Sequence, residues 1–331
     1  MSTKKKIRLL FNLAEHFYTD PLYTGFFQRL AKHADIRKRS WRTVEEITGD
    51  LAWAQAVIMW WYPTFTDEVL SAAKDLRFVG HINNLRPMAE AELRRGLSVS
   101  EARRGFSPAV AEMALTLMLA GLRQTSRHHI AMRQGAESWC QYPHERQLAG
   151  RSVGIVGFGG IGQRLSELLA PYQCTVRTYD PFLPRPVAAK FGARMVPLME
   201  LIKNSEVVVL CAANSREAAH LMGPKQIAAL QENAVLVNVG RSMLIDMPAL
   251  AERLKRGDLI AMLDVFDKEP LEDDSIFRTL PNTYLTPHRA GGIPESYLRI
   301  LTMLADDFDA WRTGKKRKYA LTEKDLTSIA G

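Results

Sequence analysis

Three charged side chains in the last third of the chain have types that together suit one reaction. Arg241 lies in VLVNVGRSMLID, Glu269 lies in AMLDVFDKEPL five residues after Asp264, and His288 lies in YLTPHRAGG. A guanidinium can hold a carboxylate through two parallel hydrogen bonds and polarise an adjacent carbonyl oxygen. An imidazole can deliver a proton to that oxygen as hydride reaches the carbon. A carboxylate beside the imidazole favours its protonated form and orients it. Taken singly, each has an ordinary alternative: a surface charge at a helix start, a solvated turn and a loop histidine. Their shared placement argues otherwise. Each follows a strand-like apolar run, and in an open parallel sheet the loops after the carboxyl ends of strands border the ligand crevice.

A second constellation precedes them. In RSVGIVGFGGIGQRLSELLA, Gly157, Gly159 and Gly162 form G-x-G-x-x-G between a strand-like run and a helical one. That context makes the motif informative. Gly157 permits a tight turn, Gly159 admits a pyrophosphate close to the backbone, and Gly162 lets helix and strand pack closely. Asp180, in TYDP, lies eighteen residues beyond Gly162 at the end of the next strand-like run. A carboxylate there accepts hydrogen bonds from both ribose hydroxyls and repels a 2′-phosphate, so the expected cofactor is NAD(H). The plainer alternative is a glycine turn followed by an aspartate opening a turn at Pro181.

The elements that must position these groups alternate along the chain. Strand-like runs fall at 7–11, 56–60 and 76–80, with a helical stretch at 66–73. A long Ala/Leu/Met-rich helix is expected from 109 to about 127, apolar almost all round and therefore buried. Residues 134–150 are polar and irregular, as a linker between domains would be. The alternation resumes with strands at 152–156, 175–179, 207–211, 234–239, 259–264 and 283–285, and helical sequence from about 293. This rhythm predicts α/β domains with parallel sheets. The 331 residues suggest two such domains. Cys140, Cys174 and Cys211 are widely spaced with no CxxC pair, which argues for a reducing compartment and against structural zinc; no metal is expected. The start of the chain lacks an export-signal pattern, and the apolar run 109–122 contains Glu112 and is short for a membrane span. The expected location is the cytoplasm.

These segments, from VAEMALTLMLAGLR through LAGRSVGIVGFGGIG, NVGRSMLID and LDVFDKEPL to LTPHRAGG, resemble the NAD-dependent D-isomer-specific 2-hydroxyacid dehydrogenase family over essentially the whole chain. The resemblance implies two doubly wound parallel-sheet domains. A Rossmann-type NAD-binding domain, 109–290, would be inserted into a flavodoxin-like substrate domain made of 1–108 and 291–331. It implies that Arg241 binds substrate, Glu269 supports the histidine and His288 is the acid/base. It places Asp264 at the nicotinamide carboxamide, and Gly160, Ile161, Cys211, Val239 and Gly240 along the cofactor, together with Arg241 and His288. It also implies a homodimer through the cofactor domain. Formate dehydrogenases look similar but place glutamine beside the histidine, whereas phosphite dehydrogenase shares the Arg-Glu-His set and stays open.

Departures from the family pattern concern the substrate. A glycine-rich loop usual after the last N-terminal strand reads VGHINNLRP here, putting His81, Ile82 and Asn83 at the expected substrate contact. His81 either adds a donor or a steric wall there, or is a loop histidine without ligand contact. The run Cys211 to Asn214 lacks the usual proline and threonine, and Ser242 replaces a usual glycine. Trp60, Trp61 and Tyr62 either wall a pocket or fill the core.

Two functions compete: reduction of small 2-oxo acids such as glyoxylate or hydroxypyruvate, and an NAD(H)-sensing, corepressor-like binding protein. The net charge of +8 is compatible with the second. Residues 1–150, however, carry 21 basic and 15 acidic groups, a balance of +6, against 23 and 21, a balance of +2, in 151–331. No nucleic-acid motif accompanies the excess, which fits small anions better than a polyanion. Neither a nucleic-acid nor a membrane partner is expected.

Overall fold

The computed structural model describes residues 6–60, 62–83, 86–135, 142–213 and 218–328. Trp61, Asn84, Cys140 and Asn214, on which some expectations above rest, lie outside these residues. The chain divides into two compact units, Met1–Phe106 with Pro294–Gly331, and Ser107–Ile293.

In the first unit β1 (Ile7–Asn12), β2 (Ala34–Arg39), β3 (Ala56–Met59), β4 (Phe78–His81) and β5 (Ser98–Glu101) form one sheet in the order β2-β1-β3-β4-β5. Every pair is parallel. The central strands β3 and β4 are buried at every position, because helices cover both faces. Helix Pro294–Arg312 returns to one face, where Ile300, Leu301, Leu304 and Phe308 join the core of Leu9, Phe11, Ile58 and Phe78. Helices Val44–Trp53, Asp67–Ala72 and Arg86–Arg94 supply residues to the core that includes Leu10, Val57 and Val79. Thr43 and Glu46 start the first of these with a reciprocal capping box.

In the second unit β6 (Ser152–Val156), β7 (Thr175–Tyr179), β8 (Ala193–Met195), β9 (Val207–Leu210), β10 (Ala234–Asn238), β11 (Leu259–Leu263) and β12 (Thr283–Leu285) form a parallel sheet in the order β12-β11-β10-β9-β6-β7-β8. The order reverses between β6 and β9, so the glycine turn after β6 lies at the topological switch point, where such sheets take ligands.

Three strands escape a reading by apolar runs: β2 (ADIRKR), β5 (SVSE) and β8 (ARM). All three are edge strands: β2 and β8 are half-solvated and polar, while β5 is short and its buried Ser100 hydroxyl donates to Asp307 at 2.7 Å. The long helix ends earlier than expected, at Arg123, because Gln124 adopts a left-handed φ of 47° and a second helix, Thr125–Arg133, follows. With the turn before it the long helix spans Arg103–Arg123, long and apolar enough to cross a membrane, and just over half of it is buried. Its stripe Ala111, Ala114, Leu117, Met118 and Gly121 is buried, and the absent Cβ of Gly121 would sit 2.7 Å from Val235 Cγ1 of β10. Nor is the described part of 134–150 a linker. It lies inside the second unit, where Arg146 N–H donates to Leu122 C=O at 2.9 Å and Pro143 C=O accepts from Gln124 Nε2 at 2.7 Å.

Candidate active site

The glycine turn has the shape its residues predict. Gly157 takes φ +88°, and a Cβ there would lie 2.4 Å from the Ala212 Cα. A Cβ on Gly162 would lie 2.5 Å from Gly157 O, so the helix Gly160–Leu169 can approach its strand only with glycine at that position. Gly160 is equally tight against Ser107 Oγ, at 2.6 Å. Gly159 differs: nothing lies within 4 Å of its absent side chain. That open face lies beside Ile161, at the N-terminus of the helix, where free amides and the helix dipole favour an anion.

Asp180 joins the turn directly. Its Oδ2 accepts from the Phe158 N–H at 2.8 Å and its Oδ1 from the Phe182 N–H at 2.9 Å. Each carboxylate oxygen can accept more than one bond, which leaves capacity for ribose hydroxyls. Cys211 is buried, and its thiol donates to Gly157 C=O at 3.1 Å. Burial, and then the negative charge of Asp180, push that thiol up to about 12, so it stays protonated and braces the turn from behind. The resemblance placed Cys211 along the cofactor; in the structure its side chain supports the glycine turn.

The three charged groups sit on loops after β10, β11 and β12, again at carboxyl ends. Asn238, fully buried at the end of β10, accepts from Gly240 N–H at 3.1 Å and donates to Arg241 C=O at 3.0 Å. This staple closes the turn Val239-Gly240 and presents an exposed Arg241, whose Nη1 also donates to Gly240 C=O at 2.8 Å. Glu269 receives the Phe266 N–H on Oε1 at 3.0 Å and meets His288 Nδ1 through Oε2 at 2.7 Å. Burial works to raise the Glu269 carboxyl. The hydrogen bonds from His288 and Phe266, with the charges of His288 and Arg241, outweigh it and hold the group below the usual carboxylate range. The side chains of His288 and Glu269 keep 45% and 36% of their surface exposed.

Asp264, just past the end of β11, anchors the loop that carries His288. It is wholly buried, and its oxygens accept from Thr286 Oγ1 at 2.5 Å, Arg289 N–H at 3.0 Å and Ala290 N–H at 3.0 Å. His288 N–H donates to Asp264 C=O at 2.8 Å. This clamp holds His288 at φ +51°, a left-handed conformation that a non-glycine residue keeps only when its surroundings enforce it. Asp264 therefore positions the histidine loop.

In the first unit the structure also redirects His81. Its side chain is fully buried, with Nε2 at 2.8 and 3.0 Å from the two oxygens of an equally buried Glu92. Ile82 belongs to the core and Asn83 is half-buried. His81 is thus spent inside the unit and adds no side-chain donor at a surface. Trp60 packs edge-on against Tyr297 at 5.8 Å, a core role.

Asn238, Thr286 and the hub Asn12 escaped the sequence reading. Their only local signal is a polar residue closing an apolar strand, as in AVLVN, YLT and LLFN. Among the described residues no His/Cys/Asp/Glu cluster suits a metal.

The chain is similar to known proteins over most of its length. Residues 115–290, more than half of the chain, match the family model "D-isomer specific 2-hydroxyacid dehydrogenase, NAD binding domain". The chain is 30% identical over 295 residues to the D-3-phosphoglycerate dehydrogenase of Methanocaldococcus jannaschii, covering 87% of this chain and 55% of that protein. It is 29% identical to the glyoxylate reductase of Korarchaeum cryptofilum, covering 75% and 76%. It thus spans about half the length of the phosphoglycerate dehydrogenases it matches. The TT0316 protein of Thermus thermophilus superposes with a TM-score of 0.80 at 25% identity, over 96% of this chain and 100% of that one.

Proposed function

Because the chain belongs to the D-isomer specific 2-hydroxyacid dehydrogenase family, with the family's NAD-binding domain as its second unit, we propose that it reversibly reduces small 2-oxo acids of the glyoxylate or hydroxypyruvate type with NADH. The observation that carries this reading is the His288–Glu269 pair at 2.7 Å, with the Arg241 charge acting on it. NAD(H), when bound, supplies or accepts the hydride.

The rest is work for the chain's own residues. The amides at Gly159 to Gly162 hold a pyrophosphate, and Asp180 selects a free ribose over a 2′-phosphate. Arg241 grips the acid's carboxylate and draws electron density toward its carbonyl oxygen. Glu269 occupies His288 Nδ1, so Nε2 is the nitrogen that gives the proton to that oxygen and takes it back in the oxidative direction. The relative named glyoxylate reductase supports this substrate class. Ile130 and Met132, each about half exposed on the helix Thr125–Arg133, support assembly as a homodimer through the second unit. The reading extends to the cytoplasm as the place of action, without a nucleic-acid or membrane partner.

The test is NADH oxidation across glyoxylate, hydroxypyruvate and larger 2-oxo acids. His288→Asn should lower kcat roughly 100- to 10,000-fold while NADH still binds. A chain that binds NADH and turns over none of these acids, or whose His288→Asn variant keeps full activity, would sink the reading.

A further inference from the structure

The first unit has a ligand edge of its own, and among the described residues one cation there has no carboxylate to answer it. Its strand order reverses between β1 and β3, and open α/β sheets take ligands beyond the carboxyl ends at that point. Asn12 ends β1, Trp41 and Arg42 follow β2, and Tyr62 follows β3. The Asn12 side chain is 1% exposed and ties these ends together. Its Oδ1 accepts from Trp41 N–H at 2.7 Å, and its Nδ2 donates to Trp41 C=O at 3.2 Å and Tyr62 C=O at 3.1 Å. Loops held by one buried amide present their side chains with little freedom.

Arg42 is exposed on this frame, with its guanidinium carbon 5.6 Å from the centre of the Tyr62 ring. Among the described residues that guanidinium makes no hydrogen bond and no ion pair. Two carboxylates of the helix that follows are engaged elsewhere. Glu46 accepts the backbone amides of Arg42 and Thr43 at 3.0 and 3.1 Å. Asp50 accepts from Arg37, Arg39 and the Trp41 indole. A guanidinium over an aromatic face keeps its fork of donors pre-oriented for a planar or tetrahedral anion.

We infer that Arg42, seated on Tyr62, is an anion-recognition element of the first unit that takes a carboxylate or phosphate group of an organic anion. That group belongs either to the hydride acceptor, as a second charge beyond its 2-oxo acid end, or to a separate anion. The acceptor arm of the test rests on the proposed reaction; the binding arm does not.

For the acceptor arm, kcat/KM is measured for 2-oxoglutarate and for uncharged-tailed 2-oxopentanoate, in the wild type and in Arg42→Ala and Arg42→Lys. The wild type should favour 2-oxoglutarate by roughly tenfold, the worth of one charged hydrogen bond. The preference should vanish in Arg42→Ala and survive partly in Arg42→Lys, which keeps the charge without the fork. For the binding arm, calorimetry follows tricarballylate and inorganic phosphate, with NADH affinity as the check that the variants are folded. Arg42-dependent binding of either anion without an acceptor preference supports the inference and assigns the group to a separate ligand. The same binding with no 2-oxo acid turned over sinks the proposed reaction and leaves this element standing. Equal acceptor rates together with no Arg42-dependent anion binding overturns it.

Discussion

The two units each hold a histidine against a glutamate at nearly the same distance, and the two pairs have opposite fates. His288 and Glu269 meet at 2.7 Å with 45% and 36% of their side-chain surfaces exposed. His81 and Glu92 meet at 2.8 Å with none exposed. Both histidines lie at or just past the carboxyl end of a strand in a parallel sheet. The first pair can pass a proton to a ligand, whereas the second is sealed against helix Arg86–Arg94 and can only brace its unit. Chemistry thus follows from what the loop does after the strand. The Asp264 clamp turns the second unit's loop outward at a positive φ, while the first unit turns its histidine into the core.

This contrast can be broken at several points, the largest effect coming first. Glu92→Ala strands a buried imidazole, so the first unit should lose about 3 kcal/mol by denaturant unfolding. NADH affinity should stay that of the wild type, and a variant as stable as wild type would show that the sealed pair is not structural. The two strand-end asparagines are the next lever. Asn12→Ala should cost about 2 kcal/mol of stability, since it leaves buried loop amides unsatisfied. Asn238→Ala, at an equally buried position, should cost a similar amount and in addition raise KM for the 2-oxo acid roughly tenfold by loosening Arg241. If the two variants have the same profile, the functional contrast between the units is wrong.

Glu269→Gln is the subtlest. Gln keeps a hydrogen bond to His288 Nδ1 but not the charge that answers the histidine, so kcat for reduction should fall several-fold while NADH still binds. Because the Glu269 carboxyl is held below its ordinary range, its contribution to stability is present above the unfolded value and lost only as pH falls through the lowered one. With the pair this exposed, stability at neutral pH should barely move. An unchanged kcat would remove Glu269 from the acid/base machinery.

Much of the second unit was legible because its functional residues are local. The glycine turn needs particular residues within six positions, and Arg241, Glu269 and His288 each follow a strong apolar strand. The edge strands β2, β5 and β8 were not, because they are short or polar and carry no apolar run. The end of the long helix was missed because Gln124 takes a left-handed conformation that its type does not demand. The course of 142–150 depends on hydrogen bonds to Leu122 and Gln124, about twenty residues earlier.

Residue types and their spacing by themselves determined the parallel α/β architecture, the glycine turn after β6, the place of Asp180 beside it and the three groups whose types suit moving a proton and holding a carboxylate. Only the tertiary structure decided which histidine is spent in the core and that Asp264 clamps a loop. It alone showed that Cys211 supports the turn and that Arg42 stands over Tyr62 with no carboxylate among the described residues to pair it. The physical reason is burial. A side chain's chemistry is written in its own residue, but its access to solvent and ligand is set by neighbours that the fold brings from far along the chain.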